Sequence, residues 1–356
     1  MQRLDSGQKL KLGFYPYTYV RTVVMRSLLF KRDDYIKMLK MSYSEIAKFM
    51  QESSYKKDIN ALAASYSGSD LLELAINRNL SETFKKLLRI SMEELGILVK
   101  EYARRKDMDD LKTILRGKFT NTDKKTIERS LTAAGNFSMG FLTELMGKEN
   151  VEQILKSSNV IDQEKTKALL INFEKEKNLV QIENTLDKLY YLGILKFADS
   201  LSEEGVLFKE MIVKEVEIMN ILTLVRLMRE KLPAKEISDF LIMSGSREID
   251  SRISTIARAE TLEEIEKIMT RTEYAEIFEE GMEEYRKKGS LIKLETGLSK
   301  YLLNKSVSMI HLNLLSVDTI IGFMFAKEIE ARNMKILIKG KQLGLQEDFI
   351  IGQLIF

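Results

Sequence analysis

A chain that states the same pattern three times, at an interval of about 110 residues, has few architectures open to it, and this 356-residue sequence does so. One copy of the core pattern runs over residues 72–116, one over 182–226 and one over 294–339. Each opens with an apolar residue and a glutamate (Leu72-Glu73, Ile182-Glu183, Leu294-Glu295), with Ile76, Leu186 or Leu298 three residues after the glutamate and Arg78, Lys188 or Lys300 five after it. A second acid follows the first glutamate by 34, 34 and 35 residues: Asp107, Glu217 and Glu330. Three residues on stands Asp110, Asn220 or Asn333, and the copy closes on an apolar pair and a cation, Arg116, Arg226 or Lys339. Two signatures recurring in order at a fixed offset set a division into residues 1–136, 137–247 and 248–356.

The echo extends upstream. The segment 42–50 is matched by 261–269, and a tyrosine stands nine residues past the isoleucine in both, Tyr55 and Tyr274. In the middle copy that place holds Val160. Repeats of roughly 20 to 50 residues build solenoids whose units cannot stand alone. A unit of about 110 residues is the size of an ordinary small domain, so three related domains are expected.

The elements are expected to be helices almost throughout. Only Pro16 and Pro233 interrupt the chain and 31% of residues are charged, a profile of helices rather than of short strands and tight turns. Counted from its acid, the second signature places apolar or Asx residues at 0, +3, +4, +7 and +8, one stripe of a 3.6-residue helix. Ser42 with Glu45, Ser91 with Glu94 and Thr261 with Glu264 have the spacing of capping boxes, and Pro233 suits the first turn of a helix. Connections are expected at 68–70, 121–123, 157–162, 244–247 and 288–290, with six or more helices per copy. An Asx on an apolar stripe costs on the order of 1 to 3 kcal/mol unless it is hydrogen-bonded. Its threefold recurrence points to a role in the fold, with Asn220 and Asn333 fastening a neighbouring helix end or loop and Glu217 and Glu330 assisting one turn earlier.

Function classes narrow by what is missing. No phosphate-cradling Gly-x4-Gly-Lys-Ser/Thr is present. One histidine, His311, and no cysteine cannot make a common zinc site or a histidine-based nucleophile system. Carboxylate pairs such as Glu279-Glu280 sit on highly charged segments and are expected to face water. A net charge of +3 argues against nucleic acid. The charge is uneven, twelve cations against six acids in residues 1–60 and twelve acids against seven cations in 248–290, which is read as solvated helix faces or as two docking surfaces of opposite sign. The first nine residues hold no signal-peptide core and no run reaches the ~18 apolar residues of a membrane span. The expectation is a soluble cytoplasmic protein that meets a membrane through a partner.

A helical, threefold-repeated chain of this length resembles the C subunit of the archaeal-type and V-type ATP synthases, related to the d subunit of vacuolar ATPases. The resemblance spans essentially the whole chain and rests on the Glu-x2-Asn-apolar-x2-apolar-apolar-Arg/Lys element at 217–226 and 330–339, on Ile182-Glu183-x2-Leu186-Asp187-Lys188-x-Tyr190-Tyr191, and on Lys339-Gly340-Lys341. Tyr17-x2-Val20-Arg21 departs by one residue from the family's Tyr-x2-Ala-Arg, and the first copy departs with Asp107 and Asp110. The resemblance implies three helical domains about a pseudo-threefold axis, forming a funnel. It implies a noncatalytic central-stalk subunit without cofactor, peripheral on the cytoplasmic side of the cell membrane. There it would seat on the proteolipid rotor ring, receive the foot of the D and F shaft, and pass torque between ion translocation and nucleotide chemistry in the A and B subunits. The alternatives are an all-helical adaptor unrelated to a rotary enzyme and a helical hydrolase working through carboxylates.

Overall fold

The computed structural model describes residues 12–202, 205–230, 234–312 and 317–356. Helix accounts for 77% of the chain and the described residues form no strand, so the protein is all-α. Among them nineteen helices follow one another, from α1 (Pro16–Ser27) to α19 (Glu347–Gln353). With α14 (Arg247–Ile256) counted in the third copy, the copies hold seven, six and six. None of the described helices is long and apolar enough to cross a membrane.

Local chemistry sets the helix starts, with three corrections to the sequence reading. At α3 (Tyr43–Gln51) the box closes in both directions: Glu45 N–H donates to Ser42 Oγ, and the Glu45 carboxylate accepts from Ser42 N–H at 2.8 Å. At α15 (Leu262–Met269) Thr261 caps Glu264 N–H at 3.3 Å, but the Glu264 carboxylate reaches back one residue further, to Glu260 N–H. No box forms at Ser91. Helix α5 (Gly68–Ile90) runs straight into α6 (Glu93–Phe119), so Ser91 serves as the C-cap of the first and Met92 becomes the N-cap of the second. Ser91 Oγ is buried without a partner, and Glu93 takes a left-handed φ of 49° to make the corner. Residues 68–70, expected as a connection, are the first turn of α5, entered through Gly68 at φ +60°. Pro233 and the side chain of His311 lie outside the described residues.

The chain divides into two compact units, and two of the division points fall inside helices. Among the described residues, one unit comprises 15–194 with 330–343; the other comprises 12–14, those within 195–329, and 344–356. One such point cuts α11 (Val180–Asp199) and the other cuts α18 (Val317–Gln342). In the unit of residues 15–194, α5 and α6 pack on each other and on α7 (Lys124–Ser130). Their core is Leu72, Ile76, Leu98, Tyr102, Leu111 and Ile114, and Met334, Leu337 and Ile338 of α18 are buried in the same unit. In the other unit, α12 (Val206–Arg229), α16 (Ala275–Lys288) and α17 (Ile292–Leu312) carry the core residues Phe208, Ile212, Ile221, Phe278, Met282, Leu294 and Leu298. Gly281 lets α16 approach α17 closely: a Cβ there would lie 2.7 Å from Leu294 Cβ.

Candidate functional site

The second signature of each copy falls on one of three long helices, α6, α12 and α18, and buries its polar pair. Asp107, Asp110, Glu217, Asn220, Glu330 and Asn333 are all at most 3% exposed. Burial on this scale requires partners, and each position has them.

The Asx residues on α6 and α12 hold backbone. Asn220 donates its amide N–H to the carbonyl of Ile242 at 2.7 Å and accepts the N–H of the same residue at 2.9 Å. Asp110 reaches a segment at the same distance along the chain, 22 and 23 residues on, accepting N–H groups from Thr132 and Ala133, both at 2.8 Å, and the Thr132 hydroxyl at 3.1 Å. An amide can give and take, so Asn220 clamps one residue from both sides. A carboxylate can only accept, so Asp110 collects two backbone donors. On α18, Asn333 hydrogen-bonds the phenol of Tyr35.

Two of the acids one turn earlier hold groups from another copy. Glu217 accepts the Tyr274 hydroxyl at 2.9 Å, Lys214 at 2.8 Å and Arg252 at 2.7 Å. Glu273, also bonded to Lys214 and Arg252, completes the network. Glu330 accepts the Tyr55 hydroxyl and the Phe30 N–H, both at 2.8 Å. The third-copy tyrosine thus serves the second-copy acid, and the first-copy tyrosine serves the third-copy acid. Burial pushes both phenols up, and the adjacent carboxylates push them further.

The remaining position has no tyrosine, because Val160 stands there. Its acid is the shorter Asp107, which turns to the loop after α7 and accepts Phe137 N–H at 2.7 Å. Gly135 lies directly on the Asp107 carboxylate, which a Cβ would strike. Burial raises the Asp107 pKa to about 6 against these loop hydrogen bonds.

The outer signature residues pair across copies as well. Arg116 makes a two-point salt bridge to Glu183 at 2.6 and 2.7 Å, with Lys112 bonding Asp187 at 2.6 Å beside it. Arg226 repeats the arrangement with Glu295 at 2.8 Å. Lys339 instead donates to Gln342 at 2.9 Å. Glu73 lies near Tyr43 and Lys335, and Lys335 is lowered to about 8, chiefly by burial and by Lys106. Of the groups that surround Glu217, Arg252 and Glu273 have no counterpart in the other copies, whereas Lys214 recurs as a cation three residues before each acid, as Arg104 and Lys327, a signal the repeat pattern above did not include. The repeated tyrosine is visible in the sequence, but its partner sits 57 residues upstream in one case and 275 downstream in the other.

The model of the ATP synthase (C/AC39) subunit family matches residues 19–353. The chain belongs to this family. The A-type ATP synthase C subunit of Methanosarcina barkeri is 35% identical over 355 residues, covering 99% of this chain and 96% of the relative. The C subunit of Methanococcoides burtonii is 34% identical over 96% of this chain and 94% of its own, and that of Halobacterium salinarum 29% over 96% and 97%. As a C/AC39-family member the protein is a noncatalytic subunit of a membrane-associated, multi-subunit rotary ATP synthase. The buried signature groups of this C/AC39-family chain hydrogen-bond one length of the polypeptide to another, as Glu330 with Tyr55, Glu217 with Tyr274 and Asn220 with Ile242.

Proposed function

We propose that this protein is the socket of the central stalk, seated on the proteolipid rotor ring on the cytoplasmic side and holding the foot of the D and F shaft, so that torque passes through it during ion-coupled ATP synthesis or hydrolysis. The observation that carries the reading is the cross-copy pairing of the signature. Tyr274 with Glu217 and Arg226 with Glu295 tie copy two to copy three, Arg116 with Glu183 ties copy one to copy two, and Tyr55 with Glu330 ties copy three to copy one. On this reading residues 1–136, 137–247 and 248–356 are three variants of one helical domain in a pseudo-threefold arrangement, with the cross-copy pairs as the joints between them and Asp110 and Asn220 as fastenings within them. A part that passes torque must not shear between its segments, and buried charge-assisted hydrogen bonds between segments resist shear better than apolar contact alone, which has no preferred register.

The test is a pull-down of the tagged chain from gently solubilised membranes of its own source, with partners identified by mass spectrometry. Recovery of the A, B, D and F subunits with the proteolipid is expected. Recovery of none, from membranes shown to hold an intact rotary ATPase, overturns the proposal.

A further inference from the structure

Helix α1 is inside out. Its two buried residues are threonines, Thr18 at 4% and Thr22 at 0% exposure, while Tyr17, Val20, Val24 and Leu28 stand 61, 57, 55 and 53% exposed. The spacing 17, 20, 21, 24, 28 is a single helical stripe, so the apolar residues and Arg21 share one face over the three turns of the helix. The arrangement is anchored: the Thr18 hydroxyl donates to the Ile90 carbonyl at 2.6 Å and that of Thr22 to the Thr18 carbonyl at 2.7 Å. The first of these places α1 beside the α5–α6 corner, where Met92 is 74% exposed. The Thr18 bond to Ile90 ties the helix to α5 with its apolar face outward, and the Thr22 hydroxyl, buried on the same side, is satisfied within α1 itself.

The charge around the face selects its occupant. In a chain with 53 acids, residues 12–32 contain none, and they carry Arg21, Arg26, Lys31 and Arg32. Arg21 lies on the stripe, its guanidinium 5.5 Å from the Tyr17 ring centroid, so the cation is held at the apolar surface. A protein partner can match a surface of mixed sign, whereas a broad anionic plane penalises any acid near it. Apolar and tyrosine side chains on one helix face, with cations and no acids, are the composition of a helix lying in a lipid headgroup layer.

We propose that the outward face of α1, with Tyr17, Val20, Arg21, Val24 and Leu28, docks on the anionic headgroup surface of a bilayer, giving the protein a lipid contact of its own. The inference uses membership of a membrane-associated complex and does not depend on the socket reading. A vesicle assay on the isolated full chain can therefore fail while the pull-down succeeds, or the reverse.

The experiment is flotation of the purified chain with vesicles of phosphatidylglycerol and phosphatidylcholine in equal parts, against vesicles of phosphatidylcholine alone. The wild type is expected to float with the anionic vesicles only, and less so as salt rises. Arg21→Gln should lower partition about fivefold, the effect of one surface cation. Val20→Asp with Val24→Asp should abolish it with an unchanged circular dichroism spectrum and melting temperature, because both sites face water. Equal flotation on neutral vesicles, no flotation of the wild type, or flotation of the double aspartate variant at the wild-type level overturns the proposal. So does a double variant that matches the wild type on vesicles but loses its protein partners in the pull-down, which would assign the face to a protein.

Discussion

The hydroxyl of Tyr55 and the carboxylate of Glu330 lie 275 residues apart in sequence and 2.8 Å apart in space, with both side chains buried. The bond closes a long stretch of chain. Tyr55→Phe removes it without changing the shape of the ring, and a charge-assisted hydrogen bond of this kind is worth about 1.5–3 kcal/mol. The expected result is a fall of that size in unfolding free energy by urea titration, seen as a lower midpoint at unchanged slope.

Asn220 gives the sharpest test of the Asx role, because its two bonds to Ile242 have opposite polarity. Asn220→Asp places a carboxylate oxygen against the Ile242 carbonyl. At pH 7 the cost is expected to be about 2 kcal/mol or more, an unsatisfied carbonyl plus a buried charge. Protonation turns that oxygen into a donor, so the loss should shrink as pH falls toward about 4, near the ordinary aspartate range. A pH-independent loss in thermal melts would count against this account of the clamp.

Asp107 titrates in the opposite sense from a salt-bridged carboxylate. Its folded pKa is raised from the ordinary 3.8 to about 6, so the folded state binds the proton more tightly than the unfolded state. Its contribution is fully present below about pH 4 and is lost as pH rises through about 6, a swing of roughly 3 kcal/mol. Asp107→Asn keeps an acceptor for the Phe137 N–H and removes the titration. Stability of the wild type relative to this variant should therefore decline between about pH 4 and about pH 7.

Arg116 and Glu183 pair in good two-point geometry, yet the arginine side chain is 61% exposed. Solvent screens such a pair, and coupling is expected to stay under about 1 kcal/mol in a double-mutant cycle of Arg116→Ala and Glu183→Ala. A coupling of several kcal/mol would move the weight of the joint from its buried acids to its rim.

The helical class is legible in the sequence because apolar stripes and capping pairs are local, as at Ser42 with Glu45. The Ser91 box fails because the same serine also has to end α5, a demand set by the corner and not by the four residues of the motif. The burial of Asp110 and Asn220 follows from their place on an apolar stripe. Their partners in Thr132, Ala133 and Ile242 are chiefly backbone groups that any residue could supply, so no side-chain pattern marks them. The tyrosine–glutamate joints are half legible: both members recur, but pairing them requires knowing that a helix of one copy meets the hairpin of the next. The outward face of α1 is not legible in the sequence, because which side of a helix is covered depends on what packs against it, and only the structure shows Thr18 and Thr22 facing in.

Residues 330–343 complete the unit that begins at residue 15. A ribosome delivers the chain from its N-terminus, so Glu330, Met334, Leu337 and Ile338 emerge long after Phe30 and Tyr55. Until then the Phe30 N–H and the Tyr55 hydroxyl lack their carboxylate. The segment around Phe30 and Tyr55 must therefore wait in an unfinished state while about 275 further residues are made, an interval in which its apolar surface is open to chaperones and to mispairing.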